Sequence, residues 1–230
     1  MKISVVITSF NYSKYIGEAI RSVENQTFPV TEIIIVDDCS TDHSANFIRN
    51  TFPKVKLIAL KENVGVASAL NIGIRESSGE LIALLDGDDY WHSQKIEKQF
   101  HMLKSNPTYD ACFTLLKQFI SPDLTEEEKK KCFIPQEIMV GHTKITMLAK
   151  KEIFDRIGLF EEGRKFNDFI EWFARAKRGK IIHDTIHEVL AFRRIKKISL
   201  SQSALEKNPE MIQILRKHLQ SKRNEKPKNQ

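Results

Sequence analysis

The chain has 230 residues, with 36 Lys+Arg against 30 Asp+Glu for a net charge of +6, 41% hydrophobic residues and 29% charged ones. That mixture excludes a wholly disordered chain, and the length suits one domain with an appendage. The basicity is not a nucleic-acid footprint: residues 193–230 hold 11 Lys+Arg and 3 Asp+Glu, a net of +8, so residues 1–192 sum to −2.

The first 105 residues alternate short apolar runs with amphipathic segments. Residues 2–8 (KISVVIT), 32–37 (EIIIVD), 55–60 and 81–85 (LIALL) are runs of five to seven residues, rich in β-branched residues and leucine. Runs of that kind suit strands buried on both faces of a parallel sheet. The first is too short for a signal-peptide core and reads as a strand. Between the runs, Ile16, Ile20 and Val23 fall at helical spacing, as do Ala67, Leu70 and Ile74, then Ile96, Phe100 and Leu103. Strand–helix alternation predicts an α/β fold with a doubly wound, mostly parallel sheet. Residues 109–119, 142–149, 181–185 and 189–195 read as further strands, residues 126–131 as a solvated loop, and 168–178 as a helix closed by Gly179. Asn208-Pro209 opens a last amphipathic helix, and the final ten residues hold no hydrophobic side chain and read as a disordered basic tail. Three cysteines (Cys39, Cys112, Cys132) without CxxC spacing read as free thiols, and no run reaches the roughly 20 apolar residues of a membrane span, so a soluble cytoplasmic protein is expected.

Doubly wound sheets bind ligands beyond the carboxyl ends of their strands, which singles out residues 9–12, 37–41 and 86–89. Asp86-Gly87-Asp88-Asp89 places three carboxylates in four residues. Either a hard divalent cation sits among them, or they form a turn and cap the next helix. Asp37-Asp38 precedes Ser40, Thr41 and Asp42, which suit the start of a helix. The pair lies too early to cap it, and such a carboxylate can read a nucleobase or ribose. Residues 63–73 (NVGVASALNIG) fit neither GxGxxG nor a P-loop; close packing of a helix on the sheet and proximity to substrate both remain open. Trp91 and Trp172 fit either a sugar cleft or packing, and the seven histidines show no metal-ligand spacing.

Taken together and in order, SVVITSFNYSKYI, IIIVDDCSTD, ENVGVASALNIGI, GELIALLDGDDYWHSQKIEKQ, IGLFEEGRKFNDFIEWFARAKRGKI and LAFRRIKKISLS resemble family 2 inverting glycosyltransferases of GT-A fold. The pattern is similar to bacterial enzymes of capsule, lipopolysaccharide or teichuronic-type polysaccharide synthesis. The resemblance implies one GT-A domain over residues 1–203. A donor-binding half would span 1–105 and an acceptor-binding half 106–203, followed by a helix and basic tail over 204–230. It implies that Thr8, Phe10, Tyr12 and Asn63 cradle a nucleotide sugar and that Asp38 reads its base, usually uracil. Asp86 and Asp88 match the DxD pair that holds Mn²⁺ or Mg²⁺, the first lying near the ribose and the second a direct metal ligand, with Asp89 supporting them. Asp168 takes the place of the catalytic base, although the usual preceding glutamate is Asn167 here. Arg194 and Lys196 match a segment that reaches the pyrophosphate, and a lysine there is a poor metal ligand.

The QxxRW signature of processive synthases is absent, which implies one transfer per encounter. The implied partners are a UDP-sugar and a sugar or lipid-linked saccharide acceptor, with the basic tail able to touch an anionic membrane. Two rival readings are a catalytically silent nucleotide-sugar-binding module and a phosphorelay receiver, for which Asp38 and Asp86, 48 positions apart, give a tolerable layout.

Overall fold

A computed structural model describes residues 1–132, 134, 137–139, 142–163 and 168–196. The four apolar runs form β1 (Ile3–Ser9), β2 (Glu32–Asp37), β3 (Lys56–Ala59) and β4 (Leu81–Asp86), all parallel, in the order β3-β2-β1-β4. Their period-2 alternation divides the core. Ile3, Val5 and Ile7 of β1 pack with Leu81, Ala83 and Leu85 of β4 on one face, and Val6 packs with Ile82 and Leu84 on the other. Burying each such side chain contributes roughly 1.5–3 kcal/mol.

Helices cover both faces. α1 (Ile16–Glu24), α2 (Ser44–Thr51) and α4 (Lys95–Ser105) bring Ile16, Ile20, Ile48, Ile96 and Phe100 to the first face. α3 (Val66–Arg75) brings Ala67, Leu70 and Ile74 to the second. Gly73 of α3 shows why that segment is small: a Cβ there would lie 2.2 Å from Val6 Cγ1 and 3.3 Å from Val36 Cγ2. Close packing on the sheet is therefore the reason for Gly73.

Beyond β4 the sheet changes direction. β8 (Leu148–Lys150) runs antiparallel between β4 and β6 (Ala111–Ile120), and β9 (His183–Ile195) lies parallel to β6. β5 (Tyr90–Trp91) pairs antiparallel with β9, and β7 (Ile138–Met139) pairs with β6, giving a nine-stranded sheet among the described residues. A receiver-like domain has no place for this antiparallel extension. The last two expected strands are one strand, since β9 shifts register against β6 between Thr114 and Leu116, and its irregular stretch holds exposed His187 and Glu188. The expected strand over 142–149 is also different. Thr146 Oγ1 donates to the Thr143 carbonyl at 2.8 Å, and this local side-chain bond closes a 3-10 turn, Lys144–Thr146, before the three residues of β8.

Residues 126–131 hold a short helix, α5 (Glu126–Lys129), closed by a Thr125/Glu128 capping box. α6 (Glu152–Ile157) and α7 (Asp168–Arg178) pack Ile153, Phe154, Phe169 and Trp172 on the second face. Asn167, Lys197 and the expected C-terminal helix and tail lie outside the described residues.

Because the Cβ position of Gly73 is filled by Val6, Gly73→Val should destabilise the fold by about 2–4 kcal/mol, as overpacking against a sheet does. A urea melt followed by circular dichroism measures this, with the exposed Lys54→Ala as a control near zero.

Candidate active site

The site lies beyond the carboxyl ends of β1, β2 and β4. The loop after β1 is laced to the loop after β2: Asn11 N donates to Ser40 Oγ at 2.9 Å, Thr41 N to Asn11 Oδ1 at 2.8 Å, and Ser13 N to Asp42 at 2.8 Å. Neither Ser40 nor Thr41 caps α2: its N-cap is His43, and Asp42 just before it accepts from Ser44 N at 3.1 Å. Asp37 closes the intervening turn by accepting from Ser40 N and Oγ. Asp38 is buried, and its carboxylate accepts the amides of Val64 at 2.7 Å and Gly65 at 2.9 Å, while Asn63 Nδ2 donates to its carbonyl at 3.1 Å. Asn63 and Asp38 thus form one braced unit. A carboxylate has about four acceptor positions, so two remain on Asp38. Phe10, in the loop after β1, is 43% exposed.

The acidic turn follows β4. Gly87 N donates to the Thr8 carbonyl at 2.9 Å and Asp89 N to the Asp86 carbonyl at 3.0 Å. A Cβ on Gly87 would stand 2.9 Å from the Thr8 oxygen and 3.0 Å from the Tyr12 ring, so only glycine lets the turn lie this close to β1. The turn therefore presents its carboxylates to a set of cations drawn from distant segments. Lys144 Nζ lies 2.9 Å from Asp86 Oδ1, and Lys196 Nζ lies 2.6 Å from Asp88 Oδ2 and 4.1 Å above the Tyr12 ring. Thr8 Oγ1 reaches Asp86 at 3.4 Å. Burial, then the neighbouring Asp86 charge, pushes Asp88 upward against the opposing pull of Lys196. Burial with Asp88 and Asp86 pushes Asp89 well above the carboxylate range. The Tyr12 hydroxyl is raised by burial and by the same three aspartates. Burial alone would lower Lys144, but Asp86 and then Asp168 outweigh it and raise it.

Asp168, the first residue of α7, comes to the same place. Its Oδ2 is 3.8 Å from Lys144 Nζ, buried, and without a hydrogen-bond partner among the described residues. Lys144 thereby joins the acidic turn to the Asp168 carboxylate. Arg194 is turned inward instead. Its side chain is 5% exposed, its N–H and Nε donate to Asp89 Oδ1 and the Asp88 carbonyl, Nη1 reaches Ser121, and Nη2 pairs with Glu18. Both tryptophans are packing residues, with Trp91 Nε1 donating to the Ile145 carbonyl and Trp172 Nε1 to the Gly158 carbonyl, each at 2.8 Å.

Lys144 and Glu18 have no recognisable local signal in the sequence. Only the antiparallel register of β8 against β4, continued past Ala83↔Leu148, brings residue 145 level with Asp86. The turn that carries Lys144 rests on a buried polar network. Gln99 Nε2 donates to the Thr146 and Cys112 carbonyls at 2.8 and 2.7 Å, and Lys95 Nζ donates to Gln99 Oε1 at 2.8 Å beneath the Trp91 ring.

A divalent cation fits this donor set in part. Asp86 and Asp88 offer oxygens to a hard cation, but no group of three or more His, Cys, Asp or Glu suited to a metal occurs among the described residues. Water and phosphate oxygens would have to complete the shell, as they commonly do for Mg²⁺.

The sheet order and the acidic turn facing a lone helix-borne carboxylate define the class: a GT-A fold. Solved structures agree. TarS of Staphylococcus aureus in complex with UDP-GlcNAc superimposes with a TM-score of 0.69 at 22% identity, over 87% of this chain and 61% of that one. The mannosyltransferase PcManGT of Pyrobaculum calidifontis, in complex with GDP-Man and Mn²⁺, gives 0.66 at 21% identity over 95% and 64%. The chain belongs to glycosyl transferase family 2, whose family model matches residues 4–167, ending one residue before Asp168. An uncharacterized glycosyltransferase of Rickettsia typhi is 31% identical over 217 residues, 88% of this chain and 67% of its own length. The Escherichia coli UDP-Glc:α-D-GlcNAc-diphosphoundecaprenol β-1,3-glucosyltransferase WfaP is 35% identical over 109 residues, 46% of this chain and 43% of WfaP. The chain thus spans two thirds of the first relative and under half of the second.

Burial pulls Lys95 down to about 7, against the partial opposing effect of Cys112. The folded chain therefore holds this proton less tightly than the unfolded one, and its stability rises as pH increases from about 7 towards the ordinary lysine value. Urea melts across pH 6–10 should show that rise in the wild type. Lys95→Met should lack it, so that the difference between the two moves in favour of the wild type with increasing pH.

Proposed function

We propose that the chain transfers a sugar from a nucleotide-diphosphate sugar, with a UDP-sugar as donor, to a hydroxyl of a sugar or lipid-linked saccharide, inverting the anomeric centre. Glycosyl transfer itself follows from the family. The donor and acceptor classes are supported by the UDP-GlcNAc complex of TarS and by WfaP's diphosphoundecaprenol acceptor. The observation that carries the reading is the convergence of Asp86 and Asp168 on one ammonium group, with an unpartnered carboxylate oxygen on Asp168.

In this reading residues 1–105 bind the donor and residues 106–203 the acceptor. The exposed Phe10 ring and the free acceptor positions of Asp38 face the base, while Thr8, Tyr12 and Asn63 shape the crevice. Asp168 accepts the proton of the acceptor hydroxyl as that oxygen bonds to the anomeric carbon. The bond from that carbon to the diphosphate oxygen breaks on the opposite face, which inverts the centre. Lys196 faces the departing diphosphate. Arg194 acts from behind by fixing Asp88 and Asp89. Asp86 and Asp88 would hold Mn²⁺ or Mg²⁺, which supplies charge stabilisation for the leaving diphosphate. No helix among the described residues is long and apolar enough to cross a membrane. We assign the protein to the cytoplasm, with the basic chain end available to an anionic membrane face.

A thermal-shift panel of UDP-, GDP- and dTDP-sugars with and without Mn²⁺ tests the donor. A UDP-sugar with Mn²⁺ should raise the midpoint and Asp88→Ala should abolish the shift; silence with every donor would sink the reading. Asp168→Asn should keep the donor-induced shift yet lower transfer by at least about 100-fold, measured by UDP release with an acceptor. Undiminished transfer would remove Asp168 from the base position.

A further inference from the structure

Resting on the donor site proposed above, we infer that Lys144 is a further residue of that site. It is a built-in cation that holds Asp86 and Asp168 together in the donor-free protein and competes with a divalent cation for Asp86. Its side chain is 14% exposed, its Nζ lies 2.9 Å from Asp86 Oδ1 and 3.8 Å from Asp168 Oδ2, and no other cation is paired with either carboxylate among the described residues.

The position is rigidly supported. Lys144 opens a 3-10 turn whose second and third carbonyls accept from the buried Trp91 and Gln99 side chains. Gln99 is in turn fixed by the fully buried Lys95. A solvated surface lysine needs none of this support. The same segment that carries the acidic turn, residues 86–99, therefore also carries the side chains that aim Lys144 at it.

The ammonium and a metal ion cannot both occupy Asp86 Oδ1. A lysine ammonium has three donors and no acceptor. When a metal ion takes Asp86, the displaced ammonium retains Asp168 and pairs with any phosphate oxygen bound beside the turn. Two consequences of opposite sign follow from charge alone. The ammonium weakens binding of a bare divalent cation by neutralising one of its two carboxylates, and it strengthens binding of a diphosphate by adding a positive charge. General structural damage would weaken both.

Isothermal titration of the full chain with MnCl₂ alone, and with UDP at saturating Mn²⁺, separates these effects. Lys144→Met should bind Mn²⁺ alone about tenfold more tightly than the wild type and UDP about tenfold more weakly. Lys144→Arg, which keeps the charge, should stay within about threefold of the wild type in both. Any other pattern for the methionine variant, including loss of both or change in neither, overturns the inference. If circular dichroism shows the methionine variant unfolded, Lys144→Gln takes its place in the same two titrations. A wild type that binds no nucleoside diphosphate defeats the donor reading; the Mn²⁺ titration contains no nucleotide and still decides whether Lys144 guards Asp86.

Discussion

Three carboxylates cannot share the end of one buried strand unless positive charge is brought to them, and much of this fold serves that requirement. At 4 Å and an effective dielectric near 20, two like charges repel by about 4 kcal/mol. The turn after β4 contains no cation of its own. It obtains Lys144 on Asp86 and Lys196 on Asp88 from distant segments, while Asp89 accepts the main-chain N–H of Arg194 from 105 residues away. The path is set by β5, whose two residues pair with Phe192 and Ala191 and so draw the end of β9 alongside the turn. Tyr90 stacks on Phe192 with ring centroids 4.7 Å apart, which pins that short ladder. The irregular register in β9 has a use in this light: it absorbs the extra residues while keeping the paired ends of β6 and β9 aligned.

Much of residues 1–105 was legible because its signals are local. β1 to β4 are near-continuous apolar runs whose ends coincide with polar residues, and period alone places Ile16, Leu70 and Ile96 on buried helix faces. The acidic turn and Asp168 are visible as residue types at strand and helix ends. What stayed hidden depends on pairing between distant segments. Nothing around Lys144 marks it, because its role arises from β8 lying antiparallel to β4. Thr143 and Thr146 look like strand residues until their mutual hydrogen bonds close a turn. Arg194 was legible as a basic residue near the site but not as an inward brace, since Glu18, its carboxylate partner, lies on α1, 176 residues away.

The buried polar network under residues 144–146 illustrates how stability is given up around such a site. Lys95 is fully buried with a neutral hydrogen-bond partner, a costly arrangement that a methionine of similar shape would avoid. Its ammonium orients Gln99, and Gln99 donates to two main-chain carbonyls, those of Cys112 and Thr146. The network joins α4, β6 and the 3-10 turn into one rigid unit, so the position of Lys144 is fixed by the core rather than by the loop.

Two acidic strand ends, at β2 and at β4, look alike in sequence and differ in what neutralises them. Asp38 is satisfied by backbone amides, which cannot leave without unfolding the loop over residues 63–65, so its carboxylate is a permanent part of the crevice wall with spare acceptor positions. Asp86 and Asp88 are satisfied by the ammonium groups of long side chains, which can swing away by rotation about single bonds. The β2 end is thus held by the main chain, and the β4 end by side chains that can rotate.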